Sequence, residues 1–135
     1  MVSIIKEHSP NILSIPGIGG NIAAGIIGEI GEISNFHNAD SLLAFAGLNP
    51  MVYESGKYSA KHTKISKKGS SYLRNALTMA ARAIINNDEV FKQYYFKKRE
   101  EGKSYSTAIC HVRKKLVRVI HSILKNDTEY KSLSN

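Results

Sequence analysis

Residues 70–86 read SSYLRNALTMAARAIIN, and this stretch decides the fold. Leu73, Ala76, Leu77, Ala80, Ala83 and Ile84 recur at the three- and four-residue spacing of one helix face. Ser70 stands where a side-chain cap is favoured, and the small alanines let another helix approach closely. Beyond it, residues 88–101 predict a helix that is aromatic on one side (Phe91, Tyr94, Tyr95) and basic at Lys97, Lys98 and Arg99, stopped by Gly102. Ser104 can cap a further helix over 105–125. There Tyr105, Ile109, Val112, Leu116, Val119 and Ile123 alternate by four and three, a heptad-like seam for packing inside one domain or between subunits. Residues 127–135 read as frayed. Toward the N-terminus, Leu42, Leu43 and Phe45 mark a short helix over 39–46 that ends at Gly47 and Pro50. Ile22, Ala23, Ile26, Ile27 and Ile30 line one face of a helix over 20–31. Pro10 suits the first turn of a short helix over 10–14. Residues 51–66 show no helical period and predict a loop or small irregular β-hairpin around 52–66. The expected fold is therefore all-α.

Composition bounds the possibilities. A chain of 135 residues with 42% hydrophobic content makes one domain with a real core. No apolar run approaches the roughly 18 residues of a membrane span, and the N-terminus has no secretory pattern. A single cysteine, Cys110, suits a reducing, cytoplasmic setting. Charge is uneven. Residues 1–50 carry one base against four acids, whereas residues 51–135 carry 18 bases against seven acids. The densest stretch, 57–74, holds Lys57, Lys61, Lys64, Lys67, Lys68 and Arg74 with no acid. Such a block implies a polyanionic partner, with nucleic acid the commonest; a solvated lysine face is the plainer alternative.

Residues 12–24 read ILSIPGIGGNIAA. The stretch resembles a helix-hairpin-helix over 10–31, whose core is an apolar residue followed by Pro-Gly-Ile-Gly. Gly17 and Gly19 permit positive φ and close backbone approach. Ile18 would plug the core, and the turn would present the N–H groups of Gly19, Gly20 and their neighbours to a phosphate at a helix N-terminus. Gly17, Ile18, Gly19 and Gly20 are thus candidate DNA-backbone contacts, which carry no base information. The following helix has no early Lys or Arg, so this half alone would bind DNA weakly.

Further along come Ala46-Gly47-Leu48-Asn49-Pro50, Ser55-Gly56-Lys57, Ile65-Ser66-Lys67-Lys68-Gly69, Leu73-Arg74 and Ala81-Arg82. With the Pro-Gly-Ile-Gly turn before them, and Arg113-Lys114 in the last helix, this ordered series resembles the C-terminal domain of transposases of the insertion-sequence-110 class (the 110, 116, 902 and 1111 group). The resemblance covers nearly the whole chain. It implies a single C-terminal transposase domain over 1–135, with a Ser-Gly basic loop at 51–69 and a helical region at 70–126. It also implies DNA transposition and recombination, with a serine attacking a DNA phosphodiester. The matching serine is Ser55. A serine hydroxyl is a weak nucleophile, and a phosphoryl transition state spreads negative charge. Lys57, Lys61, Lys64, Lys67 and Lys68 are therefore candidates for binding the backbone. Arg74 is the best candidate for stabilising the transition state, because a guanidinium holds phosphate oxygens in pairs.

Family members are longer. The resemblance implies an N-terminal RuvC-like domain, absent from this chain, whose acidic residues bind Mg2+. No metal or cofactor is expected in the present residues, because Glu29, Glu32 and Asp40 are scattered and the five histidines lie far apart. The resemblance further implies a guide RNA from the element and homo-oligomerisation of the full-length protein. Two functions compete: a catalytic domain acting through Ser55, and a non-catalytic helix-hairpin-helix DNA-binding fragment inactive without its N-terminal domain. A third, weaker reading makes the heptad seam an assembly surface. A final expectation is that the Gly-hinged turn and the lysine-rich segment converge on one sugar-phosphate strand.

Overall fold

A computed structural model describes residues 10–48 and 57–131, and for 57–70 the description is of the backbone alone. The face anticipated over 70–86 is dry: Leu73, Ala76, Leu77, Ala80 and Ile84 are all buried. Ala81 joins them, while Ala83 is half-buried at the edge of that face.

Five α-helices are described: α1 (Gly20–Ile30), α2 (Ala39–Phe45), α3 (Lys57–Asn87), α4 (Glu89–Glu100) and α5 (Tyr105–Asn126). A 3-10 turn, Pro10–Ser14, precedes α1, and another, Ile33–Asn35, separates α1 from α2. The all-α expectation holds. The loop or β-hairpin expected around 52–66 is corrected from residue 57 onward, where the chain is already helical; residues 51–56 lie outside the described residues. Lysine and alanine are good helix formers, and adding turns to an established helix needs no new nucleus. The segment thus extends α3 without supplying an apolar stripe. The full helix has 31 residues and spans about 46 Å at roughly 1.5 Å per residue.

α3 is the axis on which the others pack. α1 lies against it through small residues: a Cβ added at Gly25 would sit 3.5 Å from the Ala76 Cβ, an ordinary contact. α1 buries Ala23, Ile26 and Ile30 and stops at Gly31, where φ is 67°. α2 is held by Asn38, whose side chain accepts from the Ser41 amide at 2.9 Å while the Ser41 hydroxyl reaches back to the Asn38 amide at 3.3 Å. α4 begins at buried Asp88, which accepts from the Phe91 amide at 3.1 Å, and Phe91 is fully buried.

α5 buries Ile109, Val112, Leu116, Val117, Ile120 and Ile123 in the same cluster as α1, α2 and α3. The heptad-like seam is accordingly spent on the chain's own core; Tyr105 at its start is exposed. Buried His121 donates from Nε2 to the Phe36 carbonyl at 3.0 Å, tying the α1–α2 connection to α5.

Residues 127–131 are not frayed. Asp127 takes a left-handed φ of 54° and accepts from Asn11 at 2.8 Å. The Tyr130 amide donates to Ser14 Oγ at 2.7 Å and its hydroxyl to Asp88 Oδ1 at 3.0 Å. This strap crosses α5 and fastens the first turn of the domain to the cap of α4.

Gly17 has φ of 85°, and an added Cβ would lie 2.9 Å from both the Ala83 Cβ and the Ala83 carbonyl oxygen. Gly17→Ala should destabilise the domain by about 2–4 kcal/mol, combining left-handed strain with overpacking. Gly19→Ala, at an extended cap with nothing within 4 Å, should cost within about 1 kcal/mol. Urea denaturation of the two variants checks the difference.

Candidate nucleic-acid interface

α3 contains seven cations, Lys57, Lys61, Lys64, Lys67, Lys68, Arg74 and Arg82, and no acid. At about 100° per residue, all seven positions fall in one sector of about 140°, centred roughly opposite the core face of Leu73, Leu77, Ala80 and Ile84. Ser71, Asn75 and Arg82, in the same sector, are exposed. Helical register thus gathers the lysines onto one ridge with Arg74 and Arg82, although the sequence places only the two arginines on a helix. The missed signal is the 57, 61, 64, 68 spacing: a helical period written in cations, not in apolar residues.

One further arginine, Arg113, joins the ridge, and Arg82 is held in place on it. Arg82 Nε donates to the Tyr105 hydroxyl at 3.1 Å. Arg113, from α5, donates from Nη1 to Thr78 Oγ1 at 3.1 Å, and that hydroxyl donates to the Arg74 carbonyl at 3.0 Å. Arg113 Nε is buried without a hydrogen-bond partner, and none of the ion pairs among the described residues involves it. Tyr72, which is 76% exposed, borders the ridge. Tyr94 and Tyr95 are half-buried; Tyr94 has Lys115 at 4.9 Å and Lys98 at 5.3 Å from its ring centre.

The glycine turn lies elsewhere. Gly17 abuts Ala83 and Asn87 near the C-terminal end of α3, about 22 Å along the helix from Lys68 at roughly 1.5 Å per residue. The turn and the lysine segment are carried at different levels of one helix, so a strand that touches both does so at separate phosphates. Ile18 is buried as anticipated. The first turn of α1 after Gly19 has no side-chain cap, and the first N–H groups of a helix have no intrahelical acceptor. Ser55 lies outside the described residues, two positions before α3 begins. Among the described residues, no group of three His, Cys, Asp or Glu side chains is placed to hold a metal ion.

A second cationic region lies on the outer side of α5. Partial burial, followed by the charges of Lys98, Lys114 and Lys103, pushes the His111 imidazole below its ordinary value, while Glu101 pulls the other way. The folded ring therefore holds its proton less tightly than the unfolded one. Its contribution to stability is complete above the ordinary value of 6.5 and is lost as pH falls below it. His111→Gln should shrink the fall in urea midpoint between about pH 7.5 and about pH 5; an unchanged fall would assign the loss to other groups.

The chain is 30% identical over 132 residues to the insertion element IS110 uncharacterized 43.6 kDa protein of Streptomyces coelicolor, covering 96% of this chain and 32% of that protein. It is 29% identical to the transposase for insertion sequence element IS1111A of Coxiella burnetii, covering 96% of this chain and 36% of the relative. It is 27% identical to the pilin gene-inverting protein of Moraxella bovis, covering 92% and 39% respectively. The chain spans about a third of the length of these curated relatives. No solved structure matches it. Among the described residues, no helix is long and apolar enough to cross a membrane. The family model described as Transposase IS116/IS110/IS902 matches residues 9–96, and the chain belongs to that family.

Proposed function

We propose that this domain grips the sugar-phosphate backbone of DNA along the cationic sector of α3, and that Ser55 attacks a phosphodiester at the N-terminal end of that sector. The observation that carries the reading is the helix itself: seven cations and no acid in 31 residues, at register positions centred roughly opposite the core-facing ones. A helix of this kind has no internal counter-ions, so an extended polyanion is its natural complement.

Ser55 precedes Lys57 by two residues, at most about 7 Å of chain. The helix N-terminus adds partial positive charge, and the first turn of α3 contains no acid to oppose it. A phosphate drawn there meets the hydroxyl. The Ser55 oxygen forms the new bond to phosphorus as the bond to one sugar oxygen breaks, and that oxygen leaves with a proton. The covalent link conserves the bond energy for rejoining. Lys57 and Lys61, within about one turn of that end, offset the charge that develops on the phosphoryl oxygens; Arg74, about 25 Å further along α3, serves as a backbone contact and not as the partner of that phosphate.

The glycine turn serves as a second phosphate contact in the manner of a helix-hairpin-helix, through the free N–H groups that start α1. Lys61 and Ala83 are separated by about 33 Å along α3, close to the roughly 34 Å of one duplex turn. A duplex laid beside the helix would meet both contacts one turn apart.

The alternative is a DNA-binding unit with no chemistry of its own. It is favoured by the chain's spanning only about a third of its relatives. In that reading, the acidic magnesium-binding domain, the guide RNA and the second copy implied by the family resemblance all act from the longer protein.

Lys64→Ala should weaken DNA binding similarly for every sequence and lower the slope of log affinity against log salt by about 1. Ser55→Ala should leave that binding intact and abolish a covalent protein–DNA species resolved on a denaturing gel with element-end DNA. Salt-independent binding would overturn the phosphate ridge. If wild type binds and no covalent species forms, the non-catalytic alternative stands.

A further inference from the structure

A cavity of about 510 Å³ opens between the C-terminal half of α5 and the 128–131 strap, on the opposite side of α5 from Arg113. That size lies within the roughly 300–1,000 Å³ of small-molecule sites. Its lining divides by chemistry. Val119 and Ile123 form an apolar floor, and Tyr130 supplies an aromatic wall. Ser122 and Thr128 add hydroxyls, and Lys115, Arg118 and Lys131 bring three cations against one acid, Glu129. The tyrosine wall is set in advance, because its amide and its hydroxyl are both held, by Ser14 and Asp88. Lys115 is steadied over the Phe91 and Tyr94 rings at 5.8 and 4.9 Å. Among the described residues, Arg118 makes only an exposed pair with Asp40 at 3.4 Å, which an anion can replace.

The cavity does not stand alone. At about 100° per residue, His111, Lys114, Lys115, Arg118 and Lys125 share one outer sector of α5 of about 100°. The four cations of that sector therefore lead to a pocket whose lining combines apolar Val119, Ile123 and Tyr130 with charged Lys115, Arg118 and Lys131. A duplex offers phosphates to such a track but no flat apolar group to the pocket. An unpaired nucleotide offers both: a base to stack beside Tyr130 over Val119 and Ile123, and phosphates for Lys115, Arg118 and Lys131.

We infer that the pocket between α5 and the C-terminal strap receives an unpaired DNA base, giving the domain a second nucleic-acid site distinct from the α3 ridge. The inference rests on the DNA-binding reading above and adds selectivity for strand distortion. A protein that opens and rejoins strands gains from such a site, because it favours DNA whose bases have already left the stack.

The test compares the full chain's affinity for a short duplex, the same duplex with one bulged adenine, and the RNA counterpart of the bulged duplex. Wild type should bind the bulged DNA roughly 10-fold more tightly than the paired DNA. Ser122→Trp, which fills the pocket from an exposed position, should erase that preference and leave affinity for paired DNA unchanged. Lys131→Glu, a second variant on the strap, should reduce the preference without altering the helical circular dichroism spectrum. Lys64→Ala should weaken both DNA complexes alike. Equal binding of bulged and paired DNA by wild type, or a preference that survives S122W, overturns the pocket while leaving the α3 ridge standing. Tighter binding of the bulged RNA than of the bulged DNA overturns DNA as its ligand. Failure to bind either DNA overturns both readings together.

Discussion

The structure depends on α3 being dry on one side and charged on the other along a single rigid axis. Leu73, Leu77, Ala80 and Ile84 draw α1, α2, α4 and α5 around one face, and the cations stand at register positions centred roughly opposite it. Neither arrangement survives without the other. A base on the core side would be buried without a counter-ion, and an apolar residue on the outer side would interrupt the ridge. Small residues set how closely the partners approach, as where Gly25 meets Ala76 and Gly17 meets Ala83. The hairpin turn can dock on α3 only because its second residue has no side chain.

Much of this was legible in the sequence, for a specific reason. Residues 70–86 and 105–125 write their burial as an apolar period, and that period survives folding almost unchanged. Buried Ile18 and the positive φ of Gly17 follow from a turn whose chemistry is local. The lysine segment at 57–69 reads as a loop because its periodic signal lies in lysines, not in apolar residues. The strap at 127–131 was missed for a different reason: it is held by single long-range contacts to Asn11, Ser14 and Asp88, which leave no period at all. Arg113 was visible only as part of a basic pair, since its approach to Thr78 is a tertiary fact.

The candidate site divides along the same line. Chain order makes Lys57, Lys61, Lys64, Lys67, Lys68 and Arg74 a cluster, but only helical register makes them a ridge. The glycine turn docks on α3 beside Ala83 and Asn87, away from the lysines. Spacing along a sequence does not say which end of a helix a preceding turn will reach. Here α1 runs back along α3 from the Ala83 end, so the turn is carried away from the lysine-rich half.

The strap has one further consequence. It joins Asn11 to Asp127 and Ser14 to Tyr130 at hydrogen-bond distance, so the first and last described turns of the domain sit side by side. A fold whose ends meet behaves as a closed loop of chain. A linker of a few residues between those ends would leave every helix in place, and new termini could be opened at an exposed bend such as Gly102. Attached to a larger polypeptide, the domain would enter and leave through one doorway and could swing there as a body without disturbing its core.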